Sequence, residues 1–200
     1  MRLTKYGHAC VRLESGDQVL VIDPGVYSDP ACLSGATAVL VTHEHADHVD
    51  AAALAAHPDV TVYTHPALAP SLGAVPVEVG DSFTAAGFAV RVVGGRHAEI
   101  IDGLPGCANV GYIVDGVYHP GDSLFVPAEP VDTLLVPASG PWVKLGEVIT
   151  FAREVRPARA FPIHDVNLSE IGQSQFDEWL DETAGTAYAR IPLGASADLA

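Results

Sequence analysis

The stretch Val41-Thr-His-Glu-His-Ala-Asp-His48 sets three imidazoles and the Asp47 carboxylate within six residues of one another. Polar groups buried without partners cost about 2–7 kcal/mol each, so four packed together call for a compensating cation. Residues 36–42, Ala-Thr-Ala-Val-Leu-Val-Thr, are an apolar, β-branched run of strand length. Residues 50–56 read as a short alanine-rich helix with Asp50 as its N-cap. The stretch therefore occupies the loop leaving the C-terminal end of a strand, where open α/β sheets place their sites. In such a loop His43 and His45 can turn toward one ion while Asp47 and His48 turn toward a second.

The 200 residues make one domain over 1–200 with room for a substantial core. No segment reaches the ~18 apolar residues of a membrane span. The start, Met1-Arg-Leu-Thr-Lys-Tyr-Gly-His8, lacks the apolar stretch of a signal peptide, so a cytoplasmic location is expected. Cys10, Cys32 and Cys107 are widely spaced with no C-x-x-C, which argues against a disulfide framework and reads as small buried hydrophobes. A formal charge of -15 repels phosphate backbones and directs attention to a small-molecule substrate rather than nucleic acid.

Residues 3–6, 9–13 and 18–22 read as short strands, the last two joined by the turn Glu14-Ser-Gly-Asp17. Gly7-His8 lies between the first two, and Asp23 ends the third in Ile22-Asp-Pro24. Strands are expected at 60–64, 75–79, 82–85 and 88–93, with a short proline-opened helix at 66–72. His57 and His65 have no ligand partner at useful spacing and read as surface or loop residues. The chain then reaches Gly94-Gly-Arg-His97, where two glycines free the backbone ahead of a histidine. A hairpin over 109–122 ends in Gly121-Asp-Ser123. Buried strands at 131–137 and 158–164 flank an amphipathic helix at 144–155, and the second delivers His164 from Pro162-Ile-His164. A helix at 174–183, a strand at 188–193 and a flexible tail over 194–200 complete the chain. Periodicity alone gives a mixed α/β (α+β) fold in two similar halves.

Thr-His-x-His-x-Asp-His after an apolar strand resembles the signature of the metallo-β-lactamase superfamily of metal-dependent hydrolases. His45, where diiron flavoprotein relatives carry Glu, resembles the hydrolase version. The resemblance covers essentially the whole chain and implies a four-layer αββα metallo-β-lactamase sandwich. It implies His43, His45 and His97 on one ion, Asp47, His48 and His164 on the other, and Asp122 of the Gly-Asp-Ser segment shared between them. The opening order of Gly-His, hairpin and Ile-Asp-Pro is similar to the branch that includes sugar-phosphate lactonases and a lipid phosphodiesterase. That likeness puts His8 at the mouth of the site and Asp23 behind the ligands, while a capped turn for His8 and a turn or helix cap for Asp23 serve equally well. Arg96 and Trp142 are further candidates to meet substrate, and Trp142 could instead pack its loop onto the core. His119 is left outside the ligand set.

Imidazole and carboxylate donors without thiolate suit two divalent ions, zinc first, with manganese or iron as alternatives. A metal lowers the pKa of bound water from about 15.7 toward ~7. The implied reaction is attack of a metal-bound hydroxide on an ester-like bond of a small molecule, a lactone or other cyclic ester or a phosphodiester, with Asp47 orienting the nucleophile. Two other readings are a mononuclear iron oxygenase acting on a thiol adduct and a metal-stabilised binding protein without turnover. The full set of second-metal residues counts against both.

Overall fold

Strands that are apolar at nearly every position need cover on both faces. The computed structural model describes residues 1–104 and 106–199 and arranges such strands in two sheets. The first holds β1 (Arg2–Lys5), β2 (Val11–Ser15), β3 (Gln18–Ile22), β4 (Ala38–Leu40), β5 (Thr61–Thr64) and β6 (Val75–Pro76) side by side. The second holds β7 (Ser82–Ala85), β8 (Phe88–Arg96), β9 (Ala108–Val114), β10 (Val117–His119), β11 (Thr133–Pro137), β12 (Arg159–Ile163) and β13 (Ala187–Tyr188). A last strand, β14 (Ser196–Asp198), returns to the first sheet and pairs antiparallel with β1.

Alternation along the strands sorts the core into three layers. Leu20 and Ile22 of β3, Leu40 of β4 and Leu135 of β11 meet Val92, Tyr112 and Ile163 between the sheets. Their neighbours Val21, Val39 and Val41 face outward onto Leu33 and Leu54, the latter from α1 (Ala51–Ala55). The other chain-order helices are α2 (Ala69–Leu72), α3 (Leu145–Val155) and α4 (Glu170–Thr183). Leu134 and Val136 face the opposite way, onto Val148 and Phe151 of α3 and Phe176 and Leu180 of α4. The period of two thus gives each sheet one face for its partner and one for helices, a four-layer αββα sandwich.

Several boundaries differ from the sequence expectation. Residues 196–198, expected in the flexible tail, form β14 because β1 offers an open edge of backbone donors and acceptors, with Leu3 opposite Ala197. The helix expected from 174 starts at Glu170, since Ser169 caps it by accepting from the Gly172 amide at 3.2 Å. Strand β8 runs through Gly94 and Gly95 to Arg96, paired with β9 from Val90 onward. The strand expected at 188–193 shortens to Ala187–Tyr188.

Strand direction positions the site. Strands β1 and β3 both run antiparallel to β2, and β4 runs parallel to β3, so His8, Asp23 and the His43 loop leave one edge of the first sheet. Strands β8 and β10 both run antiparallel to β9, and β11 and β12 are parallel to β10. His97, Asp122 and His164 therefore leave one edge of the second sheet. Cross-sheet bonds align the two edges: Tyr112 Oη donates to the Val41 carbonyl at 3.0 Å and the Val110 amide to the Thr42 carbonyl at 3.0 Å.

Candidate metal centre

Asp23, wholly buried at the end of β3, accepts from the Thr42 amide at 2.8 Å, from Thr42 Oγ1 at 2.7 Å and from His48 Nδ1 at 2.7 Å. Its φ of 51° is tolerated by aspartate better than by most residues. Thr42 Oγ1, having given its proton to Asp23, accepts from His43 Nδ1 at 3.0 Å. Gly25 is required beside this loop, because a Cβ there would lie 2.0 Å from the Asp47 carbonyl.

Asp122 is placed from the second sheet. Its amide donates to Asn109 Oδ1 at 3.0 Å, and Asn109 Nδ2 donates to the Pro120 carbonyl at 2.9 Å. Gly121 adopts φ 62°, and a Cβ there would meet Asn109 Oδ1 at 2.3 Å, which explains the glycine before the acid. The two carboxylate oxygens then face different partners. Asp122 Oδ1 lies 2.9 Å from His48 Nε2 and 3.2 Å from His164 Nε2. Asp122 Oδ2 lies 3.2 Å from His97 Nε2 and 3.9 Å from His43 Nε2.

Ligand-type atoms of His43, His45, His97 and Asp122 all fall within 4.8 Å of one another, as do those of His48, Asp122 and His164 and those of His8, Asp47 and His164. Despite their short distances, Nε2 of His48, His97 and His164 and Oδ1 of Asp122 are buried with no hydrogen-bond partner among the described residues. Orphaned buried atoms of this chemistry fit divalent cations, which would satisfy them all.

Tautomers agree with that fit. Nδ1 of His97 donates to the Ala98 carbonyl at 2.6 Å, and Nδ1 of His164 to the Ser139 carbonyl at 2.6 Å. With His48 donating to Asp23 and His43 to Thr42, all four rings are held with a proton on Nδ1, so that each would turn an Nε2 lone pair to a cation once any second proton is displaced.

Charges within the cluster act strongly on one another. Burial works against ionised Asp122, yet the imidazoles of His164, His48 and His97 beside it hold it well below the usual carboxylate range. Burial likewise opposes ionised Asp47, and His164 and His8 outweigh it. Burial lowers His48, but Asp23 and Asp122 raise it to about 10; His164 rises to about 9 against its burial, through Asp122 and Asp47. Burial, with His48 alongside, sends His43 well below the ordinary histidine value.

The sequence-derived residues gather with some differences in place. His43, His45, Asp47, His48, His97, Asp122 and His164 form one cluster, with Asp23 behind His48. His8 is buried against it, its ring 3.8 Å from that of His164. Trp142 is buried, and its Nε1 donates to Asp122 Oδ2 at 3.1 Å, so it steadies the carboxylate. Arg96 is exposed at the end of β8. His65, read from sequence as a surface or loop residue, is buried with Nε2 3.4 Å from Glu44 Oε2. Thr42, Asn109 and Ser139 were not legible as site residues. Only Thr42 carried a signal, its position beside the histidine motif.

A family model described as a beta-lactamase superfamily domain matches residues 2–164. The chain belongs to the metallo-β-lactamase superfamily. Protein Rv0786c of Mycobacterium tuberculosis is 38% identical over 96% of this chain and 97% of its own length. A UPF0173 metal-dependent hydrolase of Natranaerobius thermophilus is 28% identical over 82% of this chain and 83% of its own. In structure the chain is similar to Igni18, a metallo hydrolase from Ignicoccus hospitalis, with TM-score 0.79 and 16% identity over 100% of this chain and 99% of that one. That likeness speaks for the superfamily fold. No helix among the described residues is long and apolar enough to cross a membrane.

Proposed function

We propose that this metallo-β-lactamase-superfamily chain is a dinuclear metal-dependent hydrolase of an ester-like bond in a small molecule, a lactone or other cyclic ester or a phosphodiester. The observation that carries the reading is the division of Asp122, one oxygen toward His48 and His164 and the other toward His97 and His43. His43, His45 and His97 would hold one ion, Asp47, His48 and His164 the other, and Asp122 both. Zinc suits these donors, with manganese or iron as alternatives. When bound, the ions supply Lewis acidity and a water acidic enough to act near neutral pH.

The chain's own groups divide the remaining work. Asp47 is the open acid of the cluster, its side chain 25% exposed against 4% for Asp122. It would orient the attacking water, while buried Asp122 holds geometry. Thr42 and Asp23 fix the rings of His43 and His48, and Trp142 fixes Asp122. The test is turnover of a panel of lactones and phosphodiesters before and after chelation. Chelator-sensitive hydrolysis restored by added zinc or manganese is the expected result. Oxygen consumption with one iron per chain and no hydrolysis would overturn it.

A further inference from the structure

His8 departs from the four imidazoles whose Nδ1 donates outward. Its Nδ1 accepts the Val166 amide at 3.2 Å, so the ring proton must sit on Nε2. A nitrogen carrying that proton has no lone pair for a metal, although His8 Nε2, Asp47 Oδ2 and His164 Nε2 lie close enough to suggest a ligand trio. His119 shows the same tautomer with its needs met. Its Nδ1 accepts from the Gly121 amide at 3.1 Å, and its Nε2 donates to the Ala9 carbonyl at 2.8 Å.

The corresponding donor of His8 is unmet. Its side chain is wholly buried, and Nε2 has no hydrogen-bond partner among the described residues. Asp47 Oδ2 stands 3.2 Å away but outside hydrogen-bond alignment. Bulk water does not reach the atom. The residue also lines a cleft of about 390 Å³ with Gly7, Tyr27, Val166 and Leu193. The His8 carbonyl also accepts the His164 amide at 2.7 Å, which locks the residue against that ligand loop.

We infer that His8 is a hydrogen-bond donor, not a metal ligand, and that its Nε2–H is reserved for a substrate oxygen brought to the ion that Asp47 and His164 would hold. This rests on the hydrolase reading above. The oxygen class is that of a carbonyl or phosphoryl group whose negative charge grows as the bond to the incoming water forms, where a preplaced donor acts most strongly. No proton transfer from His8 is required.

The direct test is a two-bond ¹H–¹⁵N spectrum of the zinc-loaded full-length protein, with inorganic phosphate as the oxyanion probe. Nε2 protonated, and shifting as phosphate saturates, is expected. An unprotonated, metal-shifted Nε2, or an Nε2–H indifferent to bound phosphate, would overturn the inference. His8→Asn keeps an acceptor for the Val166 amide but brings no donor to the Nε2 position, its own amide being too short to reach it; His8→Gln returns a donor near Nε2. His8→Asn should keep its metal content and lose about 10²–10³ in kcat with a smaller change in KM, and His8→Gln should recover part of the loss. Full activity in His8→Asn, or equal loss of one ion in both variants, would contradict the assignment. A wild type without turnover would count against the hydrolase reading, while the spectrum still decides the tautomer.

Discussion

His48 is braced by a buried carboxylate, Asp23, whereas His43 is braced by a threonine hydroxyl that has already given its proton to the same Asp23. The pocket of Asp47, His48 and His164 thus has acids both in front and behind, and the pocket of His43, His45 and His97 shares only Asp122. The difference teaches how one aspartate can serve two imidazoles unequally. A carboxylate behind a ring strengthens it as a donor and, without metal, holds a proton on it; a hydroxyl merely orients the ring.

The change that should break both pockets at once is Asp122→Ala. Turnover is expected to fall to background and bound metal from two ions per chain to one or fewer, read by equilibrium dialysis and by rate. Retention of both ions would mean that Asp122 is not shared. Asp23→Asn should separate the pockets: it preserves shape but weakens the ring support of His48, with a loss of about 10–100-fold in affinity for one ion and little for the other. A chelator competition curve with two equally weakened steps would erase the distinction.

Proton release sharpens the same contrast. Without metal, His48 at about 10 and His164 at about 9 are protonated at neutral pH, whereas His43 lies well below its ordinary value and is not. A cation entering the His48 pocket must displace those protons, so its affinity should climb with pH and level off as pH passes these values. The effect should be smaller at the His43 pocket, where His43 is lowered and His97 raised. Zinc titrations in buffers of different ionisation enthalpy measure the release. Equal release at both steps, or affinity falling with pH, would refute the assignment. The smallest change is expected outside either pocket. Asp50 caps α1 by accepting from the Ala52 and Ala53 amides at 3.0 Å, and Asp50→Ala should cost about 1 kcal/mol in urea unfolding while leaving both metal affinities unchanged.

The layered fold was legible because its strands carry apolar residues on both faces and end in short, chemically dense loops. Val39 and Leu40 part to opposite faces as the period of two requires. The resemblance carried by the histidine motif supplied the sandwich itself, which periodicity could not. Legibility ended where placement depends on the other sheet. Asn109 reads as an ordinary strand residue until β9 sets it against Asp122, and Ser139 until its carbonyl meets His164. Ser196–Asp198 has no strand signal of its own and is ordered by the edge of β1. The tautomer of His8 depends on an amide 158 residues away, which local pattern cannot report.

The account turns on Asp122 lying between two ions. Anomalous diffraction from zinc-loaded crystals tests this most directly. Two peaks about 3.5–4 Å apart, one beside His43, His45 and His97 and one beside Asp47, His48 and His164, with one oxygen of Asp122 toward each, are predicted. A single peak under saturating zinc, or two peaks with Asp122 against only one, would contradict it.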